Sequence, residues 1–154
     1  MSAQPPNILV LHGPNLNLFG RREPHIYGST TLDEINARLK RLAKDLKVTL
    51  AIIQSNHEGD LLDFFHKHMD SAAGAVLNPG GLTQHGVSLH DCIKAMPFPV
   101  IEVHMSNLAT REEWRHFSII SSAAKGTVQG MGWRSYTAGL RLAVRTAQDA
   151  KKKK

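Results

Sequence analysis

The sequence predicts an α/β fold, in which five parallel strands form a doubly wound sheet with helices on both faces. Short β-branched runs alternate along the chain with longer amphipathic patterns of helical period. Such alternation is typical of a parallel sheet, because parallel neighbours need a long crossover connection. No internal repeat or linker divides the 154 residues. We therefore expect one domain, with a flexible N-terminus (1–6) and a basic C-terminal tail (149–154).

The first strand, 8–11, leads into a loop, 12–28, whose glycines and prolines exclude a regular element across it. A loop of this length in a compact domain is usually functional or disordered, and its apolar residues argue against disorder. Arg21 and Arg22 precede Tyr27 closely enough for a guanidinium to favour the phenolate form of Tyr27. The sequence thus predicts a lid or active-site loop. In the alternative interpretation Tyr27 packs against the core and the arginines are solvated.

The elements that follow the loop alternate regularly. Thr31 and Glu34 have the spacing of a capping box, and apolar residues then recur at helical spacing to residue 46. A β-branched run, 48–53, predicts the second strand. The next apolar pattern, 61–69, predicts a helix with His66 and His68 on its surface.

The second half of the chain continues the same order. Cys92 lies in the apolar pattern of a helix, so we expect it to be a small buried hydrophobe. With right-handed crossovers, the five strands give a flavodoxin-like sheet. The predicted elements are a strand at 74–77, a helix at 88–95, a strand at 99–104, a polar stretch at 105–117, a weaker strand at 127–131 and a last helix at 136–148.

Composition excludes several classes of function. The apolar and charged fractions, 42% and 21%, are typical of a soluble globular protein. Residues 151–154 supply four of the six net positive charges, and no basic patch is interleaved with aromatics, so we expect no nucleic-acid partner. No stretch is apolar enough to span a membrane, and residues 1–6 do not resemble a signal peptide. These observations predict a cytoplasmic protein without a membrane partner.

Polar residues follow the first four strands at their carboxyl ends, which in a doubly wound sheet meet at one edge where ligands bind. Glu102 and His104, two apart on a strand, point to the same face. The carboxylate can orient the imidazole and favour its protonated form, which makes His104 a candidate general acid. The alternative, a histidine whose hydrogen bonds are merely satisfied at a strand end, fits the spacing equally well.

Other residues are suited to holding an anion. The turn Asn78-Pro79-Gly80-Gly81 and the backbone around Ser106 offer free N–H groups. Arg111 and Arg115 would share one face if their stretch were helical, and arginine clamps carboxylates bidentately. Glu112 and Glu113 leave a plain surface network as the alternative. No motif predicts a metal or cofactor, although His12, His57 and His104 all follow strands. The set suits proton abstraction beside a carbonyl on an anionic substrate.

From residue 8 to residue 144 the chain resembles the type II 3-dehydroquinate dehydratases, or type II dehydroquinases. Several ordered motifs with matching spacing carry the resemblance, which makes it more specific than any single motif. They are Gly13-Pro14-Asn15-Leu16-Asn17-Leu18, Arg22-Glu23-Pro24, Ile26-Tyr27-Gly28, Gln54-Ser55-Asn56-His57-Glu58-Gly59, Asn78-Pro79-Gly80, Ile101-Glu102-Val103-His104-Met105-Ser106-Asn107, and Arg111-Glu112-Glu113 with Arg115-His116.

The resemblance implies dehydration of 3-dehydroquinate to 3-dehydroshikimate by anti elimination through an enolate, without metal or Schiff base. Tyr27 would remove the C2 proton, with Arg22 favouring its phenolate form. Asn15 would hold the water that stabilises the enolate. His104, oriented by Glu102, would protonate the departing C1 hydroxyl. The step belongs to the shikimate pathway of aromatic amino acid biosynthesis or to quinate catabolism.

The resemblance also implies how the substrate is held and how subunits assemble. Arg111 would help to close the lid, and Asp91 would reach a neighbouring subunit's site within a trimer, four trimers forming a homododecamer. The remaining residues implied in binding the substrate's carboxylate and hydroxyls are Asn78, Gln84, Arg115 and the amides of Met105 and Ser106.

Two positions depart from the family pattern. Gln84 stands where the family usually has histidine, and we expect altered substrate affinity rather than lost function, because an amide can still hydrogen-bond a hydroxyl. His90 stands where the family usually has arginine, beside Asp91, which questions the intersubunit salt bridges. Two other interpretations remain at this point, a module that binds a flavin or phosphate at the same edge and a scaffold without catalysis.

Overall fold

A computed structural model describes residues 3–153, so part of the expected flexible N-terminus (residues 1 and 2) and the end of the basic tail (residue 154) lie outside the described residues. The five strands pair in parallel in the order β2-β1-β3-β4-β5, and this confirms the flavodoxin-like sheet. Their bounds are β1 Asn7–His12, β2 Thr49–Gln54, β3 Ala72–Asn78, β4 Val100–His104 and β5 Gly126–Gln129.

Helices cover both faces of the sheet and form a hydrophobic core on each face. Successive residues of a strand point to opposite faces, so their side chains alternate between the two cores. In β1, Ile8 and Val10 pack against one helix pair, while Leu9 and Leu11 pack against the other. The first pair is α2 (Leu32–Leu46) with α5 (Arg134–Lys152), and the second is α3 (Glu58–Lys67) with α4 (Val87–Ala95).

The capping box predicted for α2 is present. The Glu34 amide donates to Thr31 Oγ1 at 3.2 Å, and the Thr31 amide donates to Glu34 Oε2 at 2.8 Å. Two donors that a helix N-terminus would otherwise leave unsatisfied are thus paired reciprocally.

As predicted, no regular element runs across the whole of residues 12–28. The loop contains a 3-10 turn, Leu16–Leu18, and a one-turn helix, α1, over Pro24–Tyr27. Proline begins α1, where its fixed φ suits the helix and its missing N–H costs nothing. The polar stretch after β4 likewise holds two 3-10 turns, Leu108–Thr110 and Glu113–Arg115.

The apolar pattern predicted a last helix that ends at residue 148, whereas α5 continues to Lys152. The basic tail expected from residue 149 therefore begins inside a helix. An i,i+4 ion pair between Arg145 and Asp149, 3.4 Å apart, supports these last turns. Within residues 3–153, no helix combines the length and the apolar character needed to cross a membrane.

His12, at the end of β1, is fully buried. Its Nε2 donates to Asn36 Oδ1 at 2.8 Å, and its Nδ1 accepts from the Tyr136 hydroxyl at 2.9 Å, which is the pairing of a neutral ring. Burial lowers the pKa of His12 from 6.5 to about 4, and the hydrogen bond to Asn36 offsets only part of this effect. His12 therefore joins β1 to α2 and α5 as an uncharged residue of the core.

Because His12 is buried in its neutral form, we expect the free energy of unfolding to depend on pH. Between pH 6.5 and pH 4 the unfolded chain binds a proton at His12 that the folded chain does not, so stability falls as pH falls. From pH 7 to pH 5 this loss amounts to about 2 kcal/mol. Urea unfolding across this range should show it, and the loss should shrink in His12→Gln but persist in the exposed-site control His57→Gln. An NMR titration in which the His12 ring charges near pH 6.5 would contradict the prediction.

Candidate active site

A cleft of about 250 Å³ opens at the carboxyl edge of the sheet, between the loop after β1, the turn after β3 and the segment after β4. The doubly wound topology places it there, because the carboxyl ends of β1, β3 and β4 are adjacent. Ten of the twelve predicted site residues line it: Asn15, Arg22, Tyr27, Asn78, Gln84, His104, Met105, Ser106, Arg111 and Arg115.

Tyr27, at the end of α1, is half-buried and lies between two guanidinium groups. The Cζ atoms of Arg22 and Arg111 are 5.4 Å and 5.3 Å from the centre of its ring. Arg111 Nη1 also donates to the Tyr27 hydroxyl at 3.0 Å, whereas Arg22 forms an ion pair with Glu23 at 3.2 Å. Positive charge therefore lies on two sides of Tyr27, and Arg111 is the group that contacts the phenol oxygen directly.

The buried carboxylate of Glu102 lies behind His104 and outside the cleft. His104 Nε2 donates to Glu102 Oε1 at 2.8 Å, and Ser118 donates to the same oxygen at 2.6 Å. Ser121 donates to Oε2, and the Thr127 hydroxyl lies 3.3 Å from that oxygen. Four side chains therefore surround one carboxylate that is completely shielded from solvent.

These contacts keep Glu102 ionised. Burial alone would raise its pKa, but the hydrogen bond and charge of His104, together with the hydroxyls of Ser118 and Ser121, hold the pKa below its usual value. A fixed negative charge here orients the His104 ring through the hydrogen bond to Nε2. The other ring nitrogen, Nδ1, makes no hydrogen bond within residues 3–153 and is left for the cleft that His104 lines.

Two buried polar atoms of the cleft have no hydrogen-bond partner in the described part of the chain, Arg111 Nη2 and Gln84 Oε1. Gln84 Nε2 donates to the carbonyl oxygens of Arg115 and Phe117, at 3.2 Å and 3.4 Å, which fixes the amide and directs Oε1 away from them. Unpaired buried groups are costly. A ligand with an acceptor for Arg111 and a hydroxyl donor for Gln84 would satisfy both.

The loops after β1 and β3 touch through their backbones. A Cβ atom on Gly13 would collide with the Pro79 carbonyl, and one on Gly80, whose φ is +56°, would lie 2.9 Å from Pro14 O. Only glycine allows this close approach. Next to the contact, Asn15 has a left-handed backbone conformation (φ 67°), and its backbone N–H donates to Asn56 Oδ1 at 2.9 Å.

Glu112 connects the two arginines of the second polar stretch. Its Oε2 is 2.7 Å from Arg115 Nε and 3.6 Å from Arg111 Nε. The continuous helix considered for this stretch is absent, since separate 3-10 turns precede and follow Arg111–Glu112. Both arginines nevertheless line the cleft, so a shared helical face is not what brings them together.

Not every predicted residue lies at the site. Asp91, on the exposed side of α4, pairs with His90 at 2.9 Å and does not line this chain's cleft. His12 is buried in the core and His57 is exposed before α3, so of the three strand-end histidines only His104 reaches the cleft. Among the residues that the structure describes, no three His, Cys, Asp or Glu side chains are grouped as metal ligands.

Several residues that contribute to the cleft or to its hydrogen-bond network were not predicted from the sequence. Ser118, Ser121 and Thr127 follow Glu102 by 16, 19 and 25 residues, and no motif with such spacing exists. Trp114, at the mouth of the cleft and 60% exposed, could have been noticed as a lone aromatic in a polar stretch. The Arg115 guanidinium lies 4.0 Å from the centre of its ring, a cation–π distance.

Comparison with known proteins finds relatives over most of the chain. The family model for class II dehydroquinases matches residues 6–144. A 3-dehydroquinate dehydratase from Roseiflexus castenholzii is 53% identical over 129 residues, which cover 84% of this chain and 82% of that protein. The type II dehydroquinase structure from Propionibacterium acnes has 37% identity and a TM-score of 0.88, covering 94% and 99% of the two chains. That from Butyrivibrio crossotus has 31% identity and a TM-score of 0.89, covering 92% and 99%.

Proposed function

Since this chain belongs to the class II dehydroquinase family and is a 3-dehydroquinate dehydratase, we propose that its cleft performs the reaction with Tyr27 as base and His104 as acid. The observation that carries this assignment is that one cleft is lined by a phenol hydrogen-bonded to Arg111 and by an imidazole hydrogen-bonded to buried Glu102. We therefore favour enzymatic dehydration as the function of this site over the two alternatives, a flavin- or phosphate-binding module and a scaffold without catalysis.

In the first step the Tyr27 phenolate removes the C2 proton beside the substrate's C3 carbonyl. The electron pair of the broken C–H bond moves into the carbonyl and forms an enolate. Arg111, which donates to the phenol oxygen, and Arg22, whose guanidinium lies near the ring, stabilise the base in its charged form before the transfer. Asn15 holds the water that stabilises the enolate oxygen.

In the second step the enolate collapses, the C1–C2 double bond forms and the C1–O bond breaks. His104 gives a proton to the departing hydroxyl, which leaves as water. Glu102 stays charged throughout and keeps the imidazole oriented, because its four polar neighbours hold it ionised. Before the next turnover Tyr27 releases the proton it received to solvent and His104 takes up a proton from solvent, so atoms and charge balance.

The substrate's carboxylate and hydroxyls would be held by Asn78, Arg115 and the amides of Met105 and Ser106, with Gln84 accepting from one hydroxyl. Arg111 would close the lid as it contacts Tyr27. Asp91, exposed in the single chain, would complete the site of a neighbouring subunit in a trimer, four of which would form a dodecamer. The reaction would take place in the cytoplasm, in aromatic biosynthesis or in quinate breakdown, without metal or cofactor.

An ultraviolet assay with 3-dehydroquinate tests the reaction class. We expect absorbance from the product's conjugated carboxylate to grow, because the substrate lacks that conjugation. The rate should not change after treatment with substrate and borohydride, since the proposed path forms no imine with a lysine. Inactivation by borohydride would overturn the enolate mechanism, and no absorbance at any substrate concentration would overturn the assignment of substrate.

A further inference from the structure

An open groove of about 530 Å³ lies between α2 and α5, and it shares no lining residue with the catalytic cleft. Its walls combine one aromatic ring with an unusual density of positive charge. The residues that give it this character are Arg38, Arg41 and Asp45 of α2, and Trp133, Arg134 and Arg141 at the start of α5 and along it.

The four guanidinium groups of this arginine groove lack counterions. Within residues 3–153, none of them forms an ion pair or a side-chain hydrogen bond, and Asp45 is the one carboxylate that lines the groove. By contrast, Arg145, one turn beyond Arg141 in α5, pairs with Asp149. Like charges that line one groove repel each other, and an anion bound among them would relieve this repulsion.

Trp133 holds two of the guanidinium groups in place. The Cζ atoms of Arg38 and Arg134 lie 4.0 Å and 4.4 Å from the centre of its ring, well within cation–π range. Because the long arginine side chains are already restrained, the entropic cost of ordering them when a ligand binds is smaller. The groove is therefore organised before any ligand arrives.

We propose that the arginine groove binds an anion that carries two or more phosphate groups, of the polyphosphate or nucleoside polyphosphate class. Four arginines and one aspartate give the groove a net charge of +3. A terminal phosphate group carries about −1.5 to −2 at neutral pH, so two such groups match this charge and one carboxylate does not. Guanidinium forks also fit phosphate oxygens bidentately.

Calorimetric titration of the whole protein with inorganic triphosphate tests the proposal. We expect saturable binding that weakens as salt concentration rises. The double variant Arg41→Gln/Arg141→Gln should bind at least tenfold more weakly, while the matched control Lys40→Gln/Lys44→Gln, which removes two charges from the outer face of α2, should bind as the parent does. In a Trp114→Phe background, Trp133 is the one remaining tryptophan, and its fluorescence should change as triphosphate binds.

The catalytic cleft also favours anions, and the experiment separates the two sites. Both double variants should keep the parent's dehydratase activity, because none of the substituted residues lines the cleft. Competition of triphosphate with 3-dehydroquinate, with affinity unchanged in the arginine variant, would place the anion in the cleft and overturn the proposal. Equally weakened triphosphate binding in both double variants would show that only the net charge of the protein matters, and this would overturn the proposal. Absence of triphosphate binding would overturn the proposal as well, whatever the dehydratase assay shows.

Discussion

Tyr27→Phe will reduce kcat by about 10²–10⁴-fold, the usual contribution of a positioned general base. The substitution removes the oxygen that Arg111 contacts at 3.0 Å but leaves the ring, whose centre lies 5.6 Å from that of Phe19. Packing is therefore kept, and thermal unfolding should change little. Steady-state kinetics with 3-dehydroquinate, combined with the melting temperature of the variant, would check both halves of this expectation.

The arginines on either side of Tyr27 provide the comparison for this experiment. Arg22→Ala and Arg111→Ala should each lower kcat by orders of magnitude, because each removes a positive charge near the phenol. Arg145→Ala, at a surface ion pair of α5, should leave kcat unchanged. If Tyr27→Phe retained near-full activity while Arg111→Ala did not, Tyr27 would not be the base.

Glu102→Gln will cause the second large loss, about 10²-fold in kcat, because it removes the buried negative charge against which the His104 imidazolium forms. Glutamine has nearly the same shape, and the hydroxyls of Ser118 and Ser121 can rotate to suit an amide.

A graded control is available in the same hydrogen-bond network. Ser121→Ala removes one of the four polar neighbours of Glu102 but keeps its charge, so its effect on kcat should have the same direction and a much smaller size. An unchanged kcat in Glu102→Gln would show that the carboxylate does not act through His104. A larger loss in Ser121→Ala than in Glu102→Gln would contradict the same mechanism.

Much of the fold follows from local sequence pattern. Residues 8–11 alternate between two cores because a strand alternates its faces, and the pair Thr31 and Glu34 fixes the start of α2. The contact between Glu102 and His104 follows from the same period of two. Each of these features depends on residues close together in the chain, which is why the sequence predicts them.

Features that depend on packing between distant segments could not be predicted. The hydrogen bond from Arg111 to Tyr27 joins residues 84 apart, and its formation depends on how two loops settle over the sheet edge. The burial of His12 required knowing that Tyr136 and Asn36 lie on either side of β1. Likewise α5 extends to Lys152 although its last residues present no apolar face that would have indicated a helix.

The contact of Gly13 with Pro79, and of Gly80 with Pro14, has a consequence for how this enzyme can diverge. Main-chain atoms meet where the two loops touch, so the separation of these two loops does not depend on which side chains line the cleft. A substitution such as histidine to glutamine at position 84 therefore changes the groups offered to a substrate while the frame around them stays the same size. Natural variation or directed evolution can retune selectivity at this edge one position at a time.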